Sequence, residues 1–109
     1  MNFKIEIIPR FERDVKRLKK KFPNIKKDLI KLINELSVNP TSGIHLGENI
    51  FKIRIPNSSI PTGKSGGFRV ITYYKQNDTL YLVTIYSKTQ NDNILIEKLK
   101  EIIKEEIKF

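Results

Sequence analysis

The sequence of 109 residues contains no cysteine, and His45 is its only histidine. The absence of cysteine excludes a disulfide framework, a thiolate metal site and a thiol nucleophile. A single histidine cannot build a metal site alone, and in a Gly-rich turn it is more often a surface residue than a catalyst. We therefore expect neither a metal ion nor a small-molecule cofactor.

The sequence also lacks a long hydrophobic run. No apolar stretch is long enough to span a bilayer, and Lys4 and Glu6 interrupt the region where a signal peptide needs an uncharged core. We expect a cytoplasmic protein that makes no contact with a membrane. The chain has the size of one domain, residues 1–109, and its 39% hydrophobic residues suffice for one two-layer core.

Positive charge is abundant. The chain has 21 Lys and Arg against 12 Asp and Glu, a formal net charge of +9. Residues 52–75 contain five basic residues and no acidic one, whereas residues 94–109 contain four of each. A protein with this net charge can bind a nucleic acid, an anionic membrane or an acidic protein, and the net charge alone does not distinguish these partners. We expect the acid-free segment, residues 52–75, to form the binding surface.

Apolar residues alternate with polar ones over residues 3–7, which predicts a half-buried strand closed by Pro9. Helical spacing follows over residues 11–22 and 25–36, and Pro23 separates the two segments. Asn24 is a plausible N-cap of the second helix. The pattern predicts an αα-hairpin.

Three more strands are predicted over residues 51–55, 68–75 and 79–87, and a final helix ends near residue 107. A Pro-, Gly- and Ser-rich loop at residues 56–67 separates the first two of them, and a hairpin joins the last two. The order β-α-α-β-β-β-α predicts an α+β fold. We expect an antiparallel sheet with the helices packed on one face and the other face open and basic.

Residues 58–65 read Ser-Ser-Ile-Pro-Thr-Gly-Lys-Ser and miss the P-loop pattern only because Ser58 replaces its first glycine. A P-loop leads from a strand into a helix, so that backbone amides and the helix terminus bind phosphate. Here a predicted strand follows the loop. We therefore expect no nucleotide hydrolysis.

A group of side chains suited to binding phosphate comes from three strands and their loops. Its predicted members are Lys52, Arg54, Lys64, Arg69, Tyr86 and Lys88. Strand alternation puts the first two on one face, an arginine can bind phosphate through two parallel hydrogen bonds, and a tyrosine can stack on a base. The alternative is a basic rim that holds an acidic partner protein.

A second basic group, which we call the hairpin lysines, straddles the two predicted helices: Lys19, Lys20, Lys21, Lys26 and Lys27. Such a run is usually a solvated face, but it can also contact the phosphate backbone of RNA. Tyr73, in the strand predicted over residues 68–75, is a further candidate for RNA binding.

These residues resemble a known family. The succession Phe51-Lys52-Ile53-Arg54-Ile55, then Gly63-Lys64-Ser65-Gly66-Gly67-Phe68-Arg69-Val70, then Ile85-Tyr86-Ser87-Lys88 is similar to the RelE/ParE superfamily of type II toxin-antitoxin toxins, especially its HigB-like branch. The resemblance covers nearly the whole chain. It implies a RelE-like fold and metal-free cleavage of mRNA in the A site of the 30S ribosomal subunit, which inhibits translation. It also implies a cognate antitoxin from the adjacent gene.

The resemblance implies roles for individual residues as well. Arg69 matches the family arginine that binds the scissile phosphate, and Lys52 and Arg54 fall where basic residues act in acid-base or charge-stabilising roles. Lys64 lies in the branch-specific loop. The usual pattern has an arginine and a tyrosine after the last strand; this chain departs from it there, offering Lys88, Thr89 and Leu95.

The resulting hypothesis is an endoribonuclease that cleaves by transesterification through the 2′-hydroxyl. We expect no carboxylate near this group, so Lys52 and Lys64 are the candidates for base or acid, and Tyr86 is the third. Two alternatives belong to other classes. One is a ParE-like inhibitor of DNA gyrase without nuclease activity, and the other is a basic nucleic-acid-binding regulatory module.

Overall fold

The computed structural model describes residues 3–61, 67–75, 79–87 and 96–107. Within those ranges the chain forms five strands and three helices. In chain order they are β1 (Lys4–Ile7), α1 (Pro9–Lys19), α2 (Ile25–Val38), β2 (Ile44–Gly47), β3 (Ile50–Ile55), β4 (Phe68–Lys75), β5 (Thr79–Ser87) and α3 (Ile96–Glu106). The α+β class predicted from the sequence is confirmed.

The helical hairpin forms where the apolar residues follow the helical period. Phe11 and Leu18 of α1 and Leu36 of α2 are buried, as the spacing predicts. Pro9 stands in the first turn of α1, where its missing N–H would have had no partner in the helix. Asn24 is the N-cap residue of α2, but its side chain makes no capping hydrogen bond. The predicted N-cap position is therefore confirmed.

The five strands form one mixed sheet in the order β1-β5-β4-β3-β2. Strands β2 to β5 pair antiparallel, whereas β1 pairs parallel with β5. The expectation of a fully antiparallel sheet is thus corrected. Short connections fix the direction of consecutive strands, but β1 and β5 are far apart in the chain, so no hairpin rule determines how they pair.

Strand β2 lies in a region where the sequence indicated only a polar turn. It pairs with β3 across Glu48 and Asn49, whose φ angles are 49° and 64°. Two consecutive residues with positive φ are typical of the tight turns that join hairpin strands, although glycine usually occupies one of them. The missing glycine explains why this hairpin was not predicted.

The helices cover both faces of the sheet, which corrects the prediction that all pack on one. Register and alternation put Ile55 and Phe68 on one face, where Phe22 at the hairpin tip meets Phe68 edge to face at 5.5 Å. Ile50 and Tyr73 point to the other face, beside Ile103 of α3. Helix α3 buries its apolar side there because the hairpin already occupies the first face.

Two polar contacts hold α3 in this position. Lys100 forms an ion pair with Glu48 in the β2–β3 turn, and the backbone N–H of Arg10 donates a hydrogen bond of 3.2 Å to Glu106. The hydrogen bond to Glu48 raises the pKa of Lys100 above its ordinary value, so this ammonium stays charged at physiological pH. Among the described residues, no helix has both the length and the apolar character that crossing a bilayer requires.

Asp14 is a buried carboxylate that ties α1 to the sheet. It accepts a hydrogen bond of 2.6 Å from the Thr84 hydroxyl and one of 3.1 Å from Arg17. A buried charge needs such partners, because leaving it without them costs several kcal/mol. Asp14 lies in line with the apolar residues of α1, and its contact with β5 explains why a carboxylate is tolerated there.

We predict that Leu36→Ala lowers the free energy of unfolding by about 3 kcal/mol, because it leaves a cavity in the core. Leu36 is 0% exposed, whereas Ile30 on the same helix is 62% exposed. Ile30→Ala is the matched control and should change stability by no more than about 0.5 kcal/mol. Urea unfolding measures both, and equal losses would contradict this account of the core.

Candidate functional site

The predicted site residues of three adjacent strands lie in one transverse row. Arg54 of β3 is directly opposite Arg69 of β4, which in turn is directly opposite Tyr86 of β5. Directly opposite side chains share a face, with Cβ atoms about 5 Å apart. Lys52, two residues before Arg54, projects from the same face. The structure thus brings together four of the six residues predicted for catalysis.

These four side chains differ in their access to solvent. Arg54 is exposed and Lys52 is half-buried, whereas Arg69 is only 1% exposed and Tyr86 only 5%. The guanidinium of Arg69 donates a hydrogen bond of 3.4 Å to the carbonyl oxygen of Gly67. Arg54 and Lys52 therefore present the accessible charge. Arg69 lies beneath the surface, and a phosphate reaches it only if its surroundings open.

Arg54 lies directly opposite Arg69, so the β3–β4 pair carries two like charges side by side on one face. Like charges directly across an antiparallel pair repel each other, and the burial of Arg69 weakens the screening by water. An apolar or acidic residue at position 54 would remove this cost. Local rules broken in this way are characteristic of functional sites, and an anion held beside the two arginines would relieve the repulsion.

Gly67 brings the start of β4 close to the end of β3. A Cβ built at this residue would lie 1.9 Å from the carbonyl oxygen of Ile55, a distance that no side chain can adopt. The close approach that glycine permits here is therefore to the protein's own backbone. It fixes the end of the sheet at which Arg54 and Arg69 lie.

Lys64 and Lys88, the other two residues predicted for catalysis, lie outside the described residues. Their participation stays a prediction. Residues 58–61 follow β3, and β4 begins at Phe68 as a strand. The element after the Ser58–Ser65 sequence is thus the strand that argued against a P-loop.

The hairpin lysines do not join this row. All five are exposed, and they belong to the helical layer on the opposite side of the sheet from Arg54. Lys21 also lies over the ring of Phe22, with its Nζ 5.5 Å from the ring centroid. The protein therefore has two separate basic surfaces, one on each side of the sheet.

Tyr73 is also apart from the arginines. It is half-buried, stacks on Tyr81 with ring centroids 6.2 Å apart, and lies beside Ile103 of α3. Four residues of strand separate it from Arg69, which corresponds to roughly 13 Å. A role in binding RNA would thus concern a nucleotide away from the one held at Arg54 and Arg69.

The folded chain has a carboxylate near the site that the sequence concealed. Glu35 of α2 lines a depression of about 290 Å3 together with Lys52 and Arg54, and it accepts a hydrogen bond of 2.7 Å from the Ser42 hydroxyl. The expectation of no nearby carboxylate is therefore wrong. The segment that lacks acidic residues in the sequence therefore has one beside it in the fold, because Glu35 of α2 lines the same depression as Lys52 and Arg54.

Asp28 is a second residue whose importance was missed. It is buried and accepts a hydrogen bond of 3.0 Å from the backbone N–H of Ser58, directly after β3. The sequence contained a signal for it, since Asp28 lies one helical turn after Ile25 and beside Leu29, in line with the buried face of α2. A carboxylate in an apolar stripe points to a specific partner.

His45 fits the surface role predicted for it. It is exposed in β2, and its ring stacks on Phe51 with centroids 4.9 Å apart. Within the described ranges, no three side chains of His, Cys, Asp or Glu gather in a way that could hold a metal ion.

The fold and the row of cations define a class: a small basic α+β protein with a partly open sheet face suited to binding an anion. The chain belongs to the RelE toxin family, since the family model described as the RelE toxin of the RelE / RelB toxin-antitoxin system matches residues 8–107. This confirms the resemblance to the RelE/ParE superfamily. Among curated proteins no match is found.

Membership makes the protein a toxin of a toxin-antitoxin system, and a cognate RelB-type antitoxin is the partner that the family implies. Toxins of this family are generally endoribonucleases. The RelE-like fold expected from the resemblance agrees with the observed elements, which comprise the helical hairpin, the sheet and the C-terminal helix.

We predict that Arg54→Gln increases the free energy of unfolding by about 0.5 kcal/mol, because it removes a like charge opposite Arg69. Arg13→Gln, at an exposed position of α1, makes the same change in net charge and is the control. Urea midpoints at low and high salt measure both variants. The gain of the first variant should exceed that of the control and shrink with salt, and equal gains would contradict a local repulsion.

Proposed function

We propose that this toxin is a ribosome-dependent mRNA endoribonuclease, an mRNA interferase of the HigB-like branch. In this proposal it acts in the cytoplasm, cleaves mRNA in the A site of the 30S subunit and so inhibits translation until its antitoxin, encoded by the adjacent gene, binds it. The observation that carries the proposal is the pair of directly opposed arginines, Arg54 and Arg69. Two arginines side by side on one face of a sheet suit an anionic substrate, because each guanidinium can donate charge-assisted hydrogen bonds to a phosphate.

The reaction we propose is an internal transesterification. The 2′-oxygen of one nucleotide attacks the adjacent phosphorus, a new O2′–P bond forms, and the P–O5′ bond breaks. A base removes the proton of the 2′-hydroxyl, and an acid gives a proton to the departing 5′-oxygen. The products are a 2′,3′-cyclic phosphate and a free 5′-hydroxyl. Atoms and protons balance without an added water molecule or redox partner.

In this scheme both arginines stabilise the negative charge on the phosphate, one from the surface and one from a buried position. Arg54 is exposed and contacts the non-bridging oxygens directly. Arg69 acts from beneath the surface, where its charge is less screened by water and favours the negative charge that develops on phosphorus. Direct contact with Arg69 would require RNA binding to open its surroundings.

We assign proton transfer to other members of the predicted group. Lys52 is half-buried on the face of Arg54 and is the first candidate for base or acid. Lys64 is the second, Tyr86 the third, and Lys88 a supporting charge. Glu35, at the nearby depression, accepts a hydrogen bond from the Ser42 hydroxyl, and we assign it no role in proton transfer.

The hairpin lysines support the ribosomal part of the proposal. They are exposed on the helical layer, whereas Arg54 projects from the other face of the sheet. Exposed lysines of this kind bind nucleic-acid backbone without sequence preference, and their contribution weakens at higher salt, where the release of counterions from the RNA is less favourable. In the proposal they contact ribosomal RNA while the arginine row meets the mRNA.

We predict that brief expression of the protein produces new mRNA 5′ ends within translated codons. Primer extension maps the ends, and transfer of labelled phosphate by a polynucleotide kinase identifies their free 5′-hydroxyls. Intact mRNA with damaged DNA would instead indicate a gyrase poison. Intact mRNA and intact DNA would leave only a binding module, and either result would refute the proposal.

We predict that Arg54→Ala lowers the rate constant for cleavage of ribosome-bound mRNA by about 100-fold or more, the usual effect of losing one charge-stabilising donor. Arg13→Ala removes an equal charge from exposed α1 and should cleave at nearly the wild-type rate. Single-turnover kinetics measure both variants. Wild-type cleavage by Arg54→Ala would exclude Arg54 from the site.

A further inference from the structure

An apolar groove of about 380 Å3, which we call the hairpin groove, lies between α1 and α2. Its apolar lining consists of Ile7, Phe11, Val15, Leu29, Ile30 and Ile33. Ile7 is 43% exposed and Ile30 is 62% exposed, whereas most large apolar side chains of the described residues are buried. Single exposed apolar side chains are common, but those that line one concave surface indicate a binding site.

The shape of the hairpin groove suits a third helix. Leu29 and Ile33 lie one turn apart along α2, as Phe11 and Val15 do along α1. From Lys26 to Ile33 the groove extends roughly 10 Å, or two helical turns. The side-chain ridges of another helix can pack into such a groove. A helix also satisfies its own backbone hydrogen bonds, whereas an extended peptide needs polar partners that an apolar groove lacks.

The rims of the hairpin groove are mainly basic. Lys16 of α1 and Lys26 of α2 line it from the two helices, both of them exposed, and Glu12 is the acidic residue of the lining. Residues 9–38 contain ten basic and four acidic residues, and two of the four acids are buried. A helix with an apolar stripe flanked by Asp and Glu would therefore complement both the floor and the rims.

We propose that the hairpin groove is a docking surface for the cognate antitoxin, which inserts an amphipathic helix with acidic flanks. Family membership implies a RelB-type antitoxin as partner, and the groove offers a surface of matching chemistry. An RNA strand would pair with Lys16 and Lys26 but would leave the apolar floor in contact with water. The groove therefore favours a protein helix over a nucleic acid, and this docking does not depend on whether the toxin cleaves mRNA.

The first experiment titrates the purified toxin with the product of the adjacent gene, the proposed antitoxin, in a calorimeter. Ile30→Gln should raise the Kd by about tenfold or more, because it places a polar amide in the apolar contact. Val38→Gln is the matched control, since Val38 is 86% exposed on the same helix and does not line the groove. It should change the Kd by less than about twofold. Both variants alter exposed residues and should keep the wild-type melting temperature.

The second experiment tests the basic rim. Lys16→Glu should raise the Kd by about tenfold at low salt, because it places a like charge beside the acidic flank of the helix. The effect should shrink at high salt. Lys98→Glu makes the same change in net charge at an exposed position of α3 and is the control. Equal losses in the two variants would overturn the role of the rim.

Methyl NMR of the isoleucines locates the contact directly. The antitoxin should shift the methyl resonances of Ile7, Ile30 and Ile33, which line the groove. Ile44 is the internal control, because it is 52% exposed in β2 and does not line the groove. Its methyl resonances should stay in place.

The outcomes that would overturn this docking are distinct. They are a wild-type Kd for Ile30→Gln, methyl shifts confined to Ile44, and an adjacent-gene product that does not bind. Self-association of the toxin, or its binding to phosphatidylglycerol vesicles, would also overturn the docking if Ile30→Gln abolished it, because a second copy or a membrane would then occupy the groove. None of these results changes whether the wild-type protein cleaves mRNA. A wild-type protein that leaves mRNA whole would overturn the proposed function and leave the docking intact.

Discussion

Strands β3 and β4 pair in one unbroken register, from Ile50 opposite Tyr73 to Ile55 opposite Phe68. This register places Arg54 opposite Arg69, and a slip of one residue would send the two arginines to opposite faces of the sheet. Its end is fixed by Gly67, whose backbone meets the carbonyl of Ile55 where no larger residue fits. The shared face of Arg54 and Arg69 therefore depends on the register in which β3 and β4 pair.

Different helices pack against the two faces of the sheet. The hairpin of α1 and α2 fills one face and carries the exposed lysines on its outer side. Helix α3 lies beside Ile50 and Tyr73 on the other face, and Arg54, four residues further along β3, is exposed.

Much of this arrangement followed from periodicity. The helical hairpin, the strands β3 to β5 and the shared face of Lys52 and Arg54 depend on local spacing, which the sequence displays directly. The parallel pairing of β1, the face chosen by α3 and the burial of Arg69 depend on contacts between distant segments, and alternation carries no information about them. The approach of Glu35 to Lys52 was hidden for the same reason.

Charged residues at positions where burial or alternation favours an apolar residue are the ones most often linked to function. Burial alone does not make such a residue functional, as Asp14 and Asp28 illustrate: both interrupt an apolar stripe and both are paired. Their partners make the difference. Asp14 bonds a side chain within the sheet, which secures α1, whereas Asp28 bonds the backbone of Ser58 beside the strand that bears Arg54. The helical hairpin therefore holds the backbone just beyond the strand end that bears Arg54, so the stability of that strand end depends on contacts from the opposite face of the sheet.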